Sequence, residues 1–209
     1  MTRCYRCGHE SAPEALSPSG EPTIAAYACS ACGALQPPPP GRDHFARLGI
    51  APAVRIDEGE LSARFRSLSR LLHPDRFAKK EPRERRLALE HTTAINDAYR
   101  VLKDPVKRAE YVLSLHGVSL GEDRVPASDQ GFLVEMMELR EEVDEARRDP
   151  ARAAAMMRRL SDGVNECLAA IAALTNGTGF DEAAARRALM RLKYLESARV
   201  DLGAAEHRR

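Results

Sequence analysis

Four consecutive prolines, at positions 37–40, divide this 209-residue chain into two parts of different character. A proline run favours the stiff polyproline II conformation and cannot continue a helix, so it acts as a spacer between folded parts. Four of the five cysteines precede it, and the residues after it are rich in alanine and leucine. We therefore predict a cysteine module at 1–36, a linker at 37–42 and helical domains beyond.

The composition favours packed helices and argues against two classes of partner. Aromatic residues are 5% of the chain and tryptophan is absent, so aliphatic side chains must form the core. The 32 Lys and Arg residues nearly balance the 31 Asp and Glu residues, which leaves no overall field for nucleic acid or an anionic membrane. No apolar run reaches the ~18 residues of a membrane span, and no secretory signal is evident. We expect a soluble, cytoplasmic protein with reduced cysteines.

The cysteines of the module form two Cys-x2-Cys pairs, a spacing typical of zinc sites. Cys4 and Cys7 make the first pair, Cys29 and Cys32 make the second, and a glycine follows each pair. Such a glycine permits a left-handed turn that lets backbone N–H groups face the sulfurs. Four thiolates with no open position predict one structural Zn²⁺ per chain, with His9 left in solvent. Two disulfides, a redox-active pair, and iron at the same thiolates are the alternatives.

Residues 43–117 have the pattern of a helical hairpin with a short helix on either side. A short helix fits 43–50, and two long helices fit 57–72 and 82–102. A further short helix begins with Pro105 after its cap, Asp104, and ends before Gly117. The long helices should pack antiparallel, because the loop between them is short. Their apolar stripes comprise Leu61, Phe65, Leu68 and Leu72 in the first helix, and Ile95, Tyr99 and Leu102 in the second.

After a turn-rich connector at 118–128, the remaining residues predict a three-helix bundle at 129–209. The first helix begins near Ser128 or Asp129, Asp149 caps the second, and Asp181 caps a third that runs to about Leu202. Cys167 lies on the apolar stripe of the second helix, so we expect a buried core thiol. The fold class is therefore all-α: a helical hairpin, a three-helix bundle and a small metal-binding module.

The first bundle helix carries two apolar faces, which is more than a small bundle needs. A core stripe at helical spacing comprises Phe132, Met136, Leu139, Val143 and Ala146. A second group, the outer patch, comprises Leu133, Val134 and Met137, bordered by Glu138, Arg140 and Glu141. Two interpretations are open: the outer patch packs on another helix of the protein, or it is an exposed binding face for a partner.

The triplet His73-Pro74-Asp75, the HPD loop, follows directly on the first long helix. Its residue types suit the end of a helix and a turn, which is the structural explanation. An acid/base role for His73 and Asp75 is set aside, because no nucleophile or oxyanion donor accompanies them. Arg66 and Arg70 lie opposite the core stripe of the preceding helix and form a small basic face leading to the loop.

The HPD loop, the helix order and the run "INDAYRVLKDPVKRAEY" together resemble a J-domain, over residues 43–116. In that family the basic face and the HPD loop bind an ATP-driven chaperone of the DnaK class and stimulate its ATPase. The resemblance implies that role for Arg66, Arg70, His73, Pro74, Asp75 and Arg76, and Phe77 matches the aromatic position that follows.

The segment "FLVEMMELREEVDE" resembles the C-terminal domain of HscB-type co-chaperones, in which this surface binds the iron-sulfur scaffold protein IscU. Val134 is a departure, because family members often carry Met at that position. The resemblance implies a scaffold-binding role for Leu133, Val134, Met137, Glu138, Arg140, Glu141 and Tyr194. We thus expect a co-chaperone that is not itself an enzyme and that presents an IscU-type scaffold to an HscA- or DnaK-class chaperone.

Two other functions compete with this interpretation. A general J-domain protein would deliver unfolded clients, but it usually carries a Gly/Phe-rich segment that is missing in this sequence. A nucleic-acid binder would need clustered basic residues around the cysteines, and residues 1–36 contain only Arg3 and Arg6. The role of the cysteine module stays open between self-association, steadying the J-domain and contact with another protein.

Overall fold

The computed structural model of the chain describes residues 2–11, 22–38, 41–118, 130–177 and 179–206. Helices dominate these ranges, as predicted, and the cysteine module alone contains strands among the residues described. The chain folds as two compact units, Met1–Asp104 and Pro105–Arg209. In the described ranges, no helix is both long enough and apolar enough to cross a lipid bilayer.

The first unit contains the cysteine module and the helical hairpin. In the module, β1 (Thr2–Arg3) pairs antiparallel with β2 (Glu10–Ser11), and a 3-10 turn follows at Ile24–Ala26. The helices are α1 (His44–Leu48), α2 (Glu58–Leu71) and α3 (Pro82–Lys103), with a 3-10 turn at Pro74–Phe77 between the last two.

Local signals set the ends of these helices. Asp43 and Asp57 cap α1 and α2, because their carboxylates accept the N–H groups of Ala46 and Glu60. Gly49 ends α1 with a φ of 68°, a left-handed conformation that glycine adopts without a steric penalty. Pro82 is the first residue of α3, where a missing N–H costs no hydrogen bond, so the predicted start is confirmed.

The two long helices of the first unit pack antiparallel, as predicted. The Ser62 hydroxyl lies 3.3 Å from the Tyr99 hydroxyl, and Thr92 donates to the Leu72 carbonyl. The start of α2 is therefore paired with the end of α3, and the end of α2 with the middle of α3. Phe65 is half-buried and stacks on Tyr99 with ring centroids 4.0 Å apart. The fully buried members of the predicted stripes are Leu61, Leu68, Leu72 and Leu102.

In its described part, the second unit has four helices, α4 (Pro105–Leu115), α5 (Gln130–Ala146), α6 (Pro150–Asn176) and α7 (Glu182–Glu206). Pro105 opens α4 as predicted, and α4 packs against α6 and α7 within this unit. The predicted start of α5, at Ser128 or Asp129, and most of the connector lie outside the described residues.

The ends of α6 and α7 follow the predicted caps with one difference. Asp149 accepts the N–H groups of Ala151 and Arg152 at 2.7 and 3.2 Å, and Asp181 accepts that of Ala184 at 3.0 Å. The helix α7 continues to Glu206 rather than ending near Leu202: Gly203 stays within the helix, and Ala204 and Ala205, which favour helix, follow it.

Apolar side chains between α5, α6 and α7 form the core of the second unit. All five residues of the predicted core stripe of α5 are buried, and so is Cys167 on α6. Burial raises the pKa of the Cys167 thiol, which suits a core residue rather than a reactive one. Gly163 allows α6 and α7 to approach closely, since an added Cβ would lie 3.0 Å from Leu195.

Candidate functional site

The four cysteines of the module form a cluster that can hold one metal ion. Their sulfur atoms all lie within 4.8 Å of one another. The Cys4 and Cys32 sulfurs are 3.7 Å apart, and so are those of Cys7 and Cys29. A tetrahedral ion with metal–sulfur bonds of about 2.3 Å requires sulfur–sulfur distances of about 3.8 Å. The cluster therefore has the dimensions of a tetrathiolate site.

Two turns of the same construction hold the sulfurs. In the first turn Gly8 donates its N–H to the Cys4 carbonyl at 3.0 Å, and in the second Gly33 donates to the Cys29 carbonyl at 2.8 Å. Both glycines are left-handed, with φ of 74° and 69°, which confirms the reason predicted for them. The N–H of Arg6 also points at the Cys4 sulfur, at 3.4 Å. His9 is exposed, as expected.

The thiols influence one another strongly. The backbone N–H of Cys7 lowers the pKa of the Cys4 thiol to about 6, more than compensating for the effect of burial. The N–H of Ala34 lowers the pKa of the Cys32 thiol, but burial and the neighbouring sulfurs together have the larger opposite effect. The pKa of this thiol is therefore raised to about 12. One thiolate thus disfavours the next, and a bound cation would remove this repulsion. The donor set fits a thiophilic divalent ion.

The HPD loop is presented to solvent at the end of the α2–α3 hairpin. His73 caps the 3-10 turn, because its Nδ1 accepts the N–H of Asp75 at 3.3 Å. The Asp75 side chain is 90% exposed, and its carboxylate lies 3.6 Å from the His73 ring. Pro74 starts the turn and is partly buried. The loop therefore presents an exposed carboxylate to solvent, within reach of a partner.

Exposed basic side chains adjoin the loop on the α2 side. Arg66 and Arg70 are exposed on the face opposite the buried stripe, as predicted, and Arg76 is exposed within the turn after the loop. An exposed guanidinium retains its full hydration, so it is available to a carboxylate on another protein. The six residues expected to bind a chaperone lie in one segment, Arg66 to Arg76, and all of them except the partly buried Pro74 are exposed.

Thr92, Glu84 and His91 on α3 are functional candidates that the sequence analysis missed. Thr92 donates its hydroxyl hydrogen to the carbonyls of Leu72 and Ala88, at 3.0 and 2.8 Å. Glu84 and His91 are 3% and 4% exposed, because the cysteine module covers them. The sequence did contain an indication of this: Glu84 and His91 fall on the apolar stripe of α3, where a polar residue requires a buried partner.

The outer patch on α5 is exposed, whereas the core stripe of the same helix is buried. Leu133, Val134 and Met137 are 40%, 53% and 65% exposed. Within the second unit, these values favour the interpretation as a free surface over packing on another helix of the bundle. The bordering residues Glu138, Arg140 and Glu141 are exposed on α5, and Tyr194 is partly buried on α7.

Two protein-family models match the chain. The DnaJ domain matches residues 43–111, and the HSCB C-terminal oligomerisation domain matches residues 128–202. The first therefore covers the HPD loop and the hairpin that carries it, and the second covers the outer patch.

Curated relatives and solved structures agree with these matches. The chain is 38% identical over 149 residues to the iron-sulfur cluster co-chaperone protein HscB of Mus musculus, and 36% identical to that of Homo sapiens. Each match covers 71% of this chain and 60% of the relative's length. The crystal structure of human co-chaperone protein HscB has a TM-score of 0.80 at 28% identity, covering 98% of both chains. Chaperone HscB from Vibrio cholerae has a TM-score of 0.68 at 31% identity, covering 79% of this chain and 98% of that one.

Proposed function

We propose, from the premise that this chain belongs to the HscB family of J-domain co-chaperones, that it brings an iron-sulfur scaffold protein to an ATP-driven chaperone. The chain acts by binding two partners and by activating one of them, without a catalytic centre of its own. The observation that carries the proposal is the exposure of the outer patch on a helix whose other face is fully used in the core.

We assign chaperone binding to the J-domain, residues 43–117, and in particular to its HPD loop. The exposed Asp75 carboxylate and the basic face of α2 offer both signs of charge within one short segment. A surface of this kind suits charge-assisted hydrogen bonds to an HscA- or DnaK-class ATPase. The residues proposed for this contact are Arg66, Arg70, His73, Pro74, Asp75 and Arg76.

We assign scaffold binding to the bundle, residues 129–209, with the outer patch as its centre. A pliable methionine surrounded by aliphatic and charged residues is a common composition for a protein-binding surface. The proposed partner is an IscU-type scaffold, and its release of an iron-sulfur cluster would follow chaperone action. The residues proposed for this contact are Leu133, Val134, Met137, Glu138, Arg140, Glu141 and Tyr194.

We assign one structural Zn²⁺ to Cys4, Cys7, Cys29 and Cys32. Four cysteine ligands leave no open position for a substrate, so the ion would contribute to folding and not to chemistry. A bound ion supplies the positive charge that four adjacent thiolates require, and it holds the two glycine-ended turns together.

The test is a single-turnover ATPase assay with a DnaK-class chaperone, an IscU-type scaffold and this chain. The chain and the scaffold together should stimulate hydrolysis well beyond the sum of their separate effects, because each binds a different site of the chaperone complex. Equal stimulation with an unfolded model client in place of the scaffold would instead support a general J-domain protein. No stimulation with any client would contradict the chaperone assignment.

A further inference from the structure

Glu84 is a buried carboxylate in the first turn of α3, and among the residues described its charged and polar partners, Arg6 and Leu35, come from the cysteine module. Its Oε1 accepts the backbone N–H of Leu35 at 3.3 Å, and its Oε2 lies 3.8 Å from Nη1 of Arg6. Burying a carboxylate is costly unless it is hydrogen-bonded and paired. The module therefore both removes Glu84 from water and supplies the groups that compensate for that loss.

The two partners of Glu84 belong to the two different cysteine turns. Arg6 lies between Cys4 and Cys7, and its own N–H faces the Cys4 sulfur. Leu35 follows the second pair, directly after Ala34, whose carbonyl accepts the N–H of Cys29 at 2.9 Å. One carboxylate on α3 thus receives one group from each half of the metal site. Both groups reach it together only when the two turns are held side by side.

A second contact links a sulfur ligand to the same face of α3. The side-chain amide of Gln36 donates to the Cys4 sulfur at 3.3 Å, and the Gln36 backbone carbonyl lies 2.8 Å from Nε2 of His91. His91 is seven residues after Glu84 and therefore about two helical turns along the same face. Tyr27 packs edge-on against the His91 ring, with centroids 5.2 Å apart.

Two further contacts extend this interface towards the start of α3. The Arg83 guanidinium lies over the Tyr5 ring, 3.9 Å from its centroid, and Arg6 also approaches Glu81 at 3.4 Å. Glu81 immediately precedes α3, and the 3-10 turn that carries Asp75 ends four residues earlier, at Phe77. The module thus contacts the N-terminal end of α3, which follows the HPD loop in the chain.

We propose that the cysteine module is a metal-dependent clamp on the first half of α3, with Glu84 as the positioning residue that couples the ion to the HPD segment. The proposal rests on the proposed metal assignment. Metal binding orders the two turns, the ordered turns supply Leu35 and Arg6 to Glu84, and the start of α3 is held in place. By linkage, the Glu84 contact must strengthen metal binding as much as the metal strengthens the contact.

The test measures zinc affinity and amide hydrogen exchange in three variants of the full chain. Glu84→Ala removes both contacts, Glu84→Gln keeps an acceptor for Leu35 without the charge, and Glu90→Ala is the matched control. Glu90 lies on α3 but pairs with Arg86 of the same helix. Competition with a chromophoric chelator should show zinc affinity weakened about tenfold in Glu84→Ala, less in Glu84→Gln, and unchanged in the control.

Hydrogen exchange supplies the readout at α3 itself. Chelation of the wild-type protein should speed exchange at residues 82–88, and Glu84→Ala should do the same at the Leu35 amide while zinc is bound. Glu84→Gln keeps the test valid if the alanine variant does not fold, since it is close to isosteric. The clamp alone would be overturned if the Glu84 variants bound zinc as tightly as the Glu90→Ala control. It would also be overturned if chelation of the wild-type protein left the exchange rates at residues 82–88 unchanged. A wild-type protein that takes up no zinc would overturn the clamp and the metal assignment together.

Discussion

Thr92 on α3 donates its hydroxyl hydrogen to the carbonyl of Leu72, the C-terminal capping residue of α2, over a distance of 3.0 Å. The carbonyls at the end of a helix lack partners within that helix and need them from elsewhere. Since Leu72 directly precedes His73, this hydrogen bond fixes the point at which the HPD loop leaves α2. The loop is thus held by a side chain twenty residues away in sequence.

Thr92→Val should destabilise the first unit by about 1 kcal/mol, because valine keeps the shape of the side chain but leaves the Leu72 carbonyl with one partner fewer. Chemical denaturation measures the change in the free energy of unfolding. Thr93→Val, at the adjacent exposed position, is the control and should have little effect. Equal losses in the two variants would show that the effect belongs to helix propensity and not to the hydrogen bond.

Asp75→Ala and His73→Gln should each abolish stimulation of the chaperone ATPase with almost no change in the melting temperature. The Asp75 side chain is 90% exposed, so its removal costs no packing. Circular dichroism gives the melting temperature, and single-turnover hydrolysis gives the stimulation. Asp97→Ala, which removes a half-exposed carboxylate paired with Arg100, should leave stimulation intact. Full stimulation by Asp75→Ala would exclude the HPD loop as the activating element.

The double variant Leu133→Ala and Met137→Ala should weaken scaffold binding at least tenfold while the bundle keeps its stability. These side chains are 40% and 65% exposed, and removing them opens no cavity. Met136→Ala is the matched comparison: at 3% exposure it should cost about 2 to 5 kcal/mol of stability. Calorimetric titration gives the affinity and thermal unfolding the stability. A large loss of stability in the double variant would indicate that the outer patch is part of the core.

Protein purified without added metal should contain about one zinc per chain. Cys29→Ser should lose the metal, because a hydroxyl is a poor ligand for zinc at neutral pH. Cys167→Ser should retain it, since Cys167 is buried in the bundle and is not part of the cysteine cluster. Elemental analysis by mass spectrometry separates zinc from iron in the same measurement. Iron in stoichiometric amount would replace zinc as the assignment.

Acidification should weaken the first unit through His91. Burial lowers the pKa of His91 below its usual value of 6.5, and the hydrogen bond to the Gln36 carbonyl only partly opposes this. Glu90 also raises the pKa of His91, whereas Arg47 and Arg42 lower it. Between the lowered folded pKa and 6.5 the unfolded chain binds more protons than the folded chain. The contribution of His91 to the stability of the folded state is therefore complete above pH 6.5, and it is lost as the pH falls through the pKa of His91 in the folded chain.

The measurement is the free energy of unfolding of the first unit from pH 7.5 to pH 5.5 in wild type and in His91→Gln. Acid also protonates the cysteine ligands, but it does so in both proteins, so the difference between the two pH dependences isolates His91. The wild type should lose more stability than the variant across this range. Parallel curves would mean that His91 does not titrate in the way its burial indicates.

The sequence by itself determined the local features of this protein. Helix boundaries at Pro82, Pro105, Asp149 and Asp181 followed from capping and proline rules, because those interactions join residues a few positions apart. The buried and exposed faces of α5 followed from helical periodicity. The tetracysteine cluster followed from spacing, and the sulfur positions agree with it. Resemblance to the HscB family, carried by whole motifs, indicated the family correctly.

Only the tertiary structure decided how the cysteine module relates to α3. Glu84 and Leu35 are 49 residues apart in sequence, and Gln36 and His91 are 55 residues apart. Helix propensity and apolar periodicity cannot predict such pairs, because the pairs depend on how distant segments pack in the folded protein. A buried glutamate and a buried histidine on an apolar stripe signal that a partner exists. The fold alone identifies that partner as the two turns that carry the cysteines.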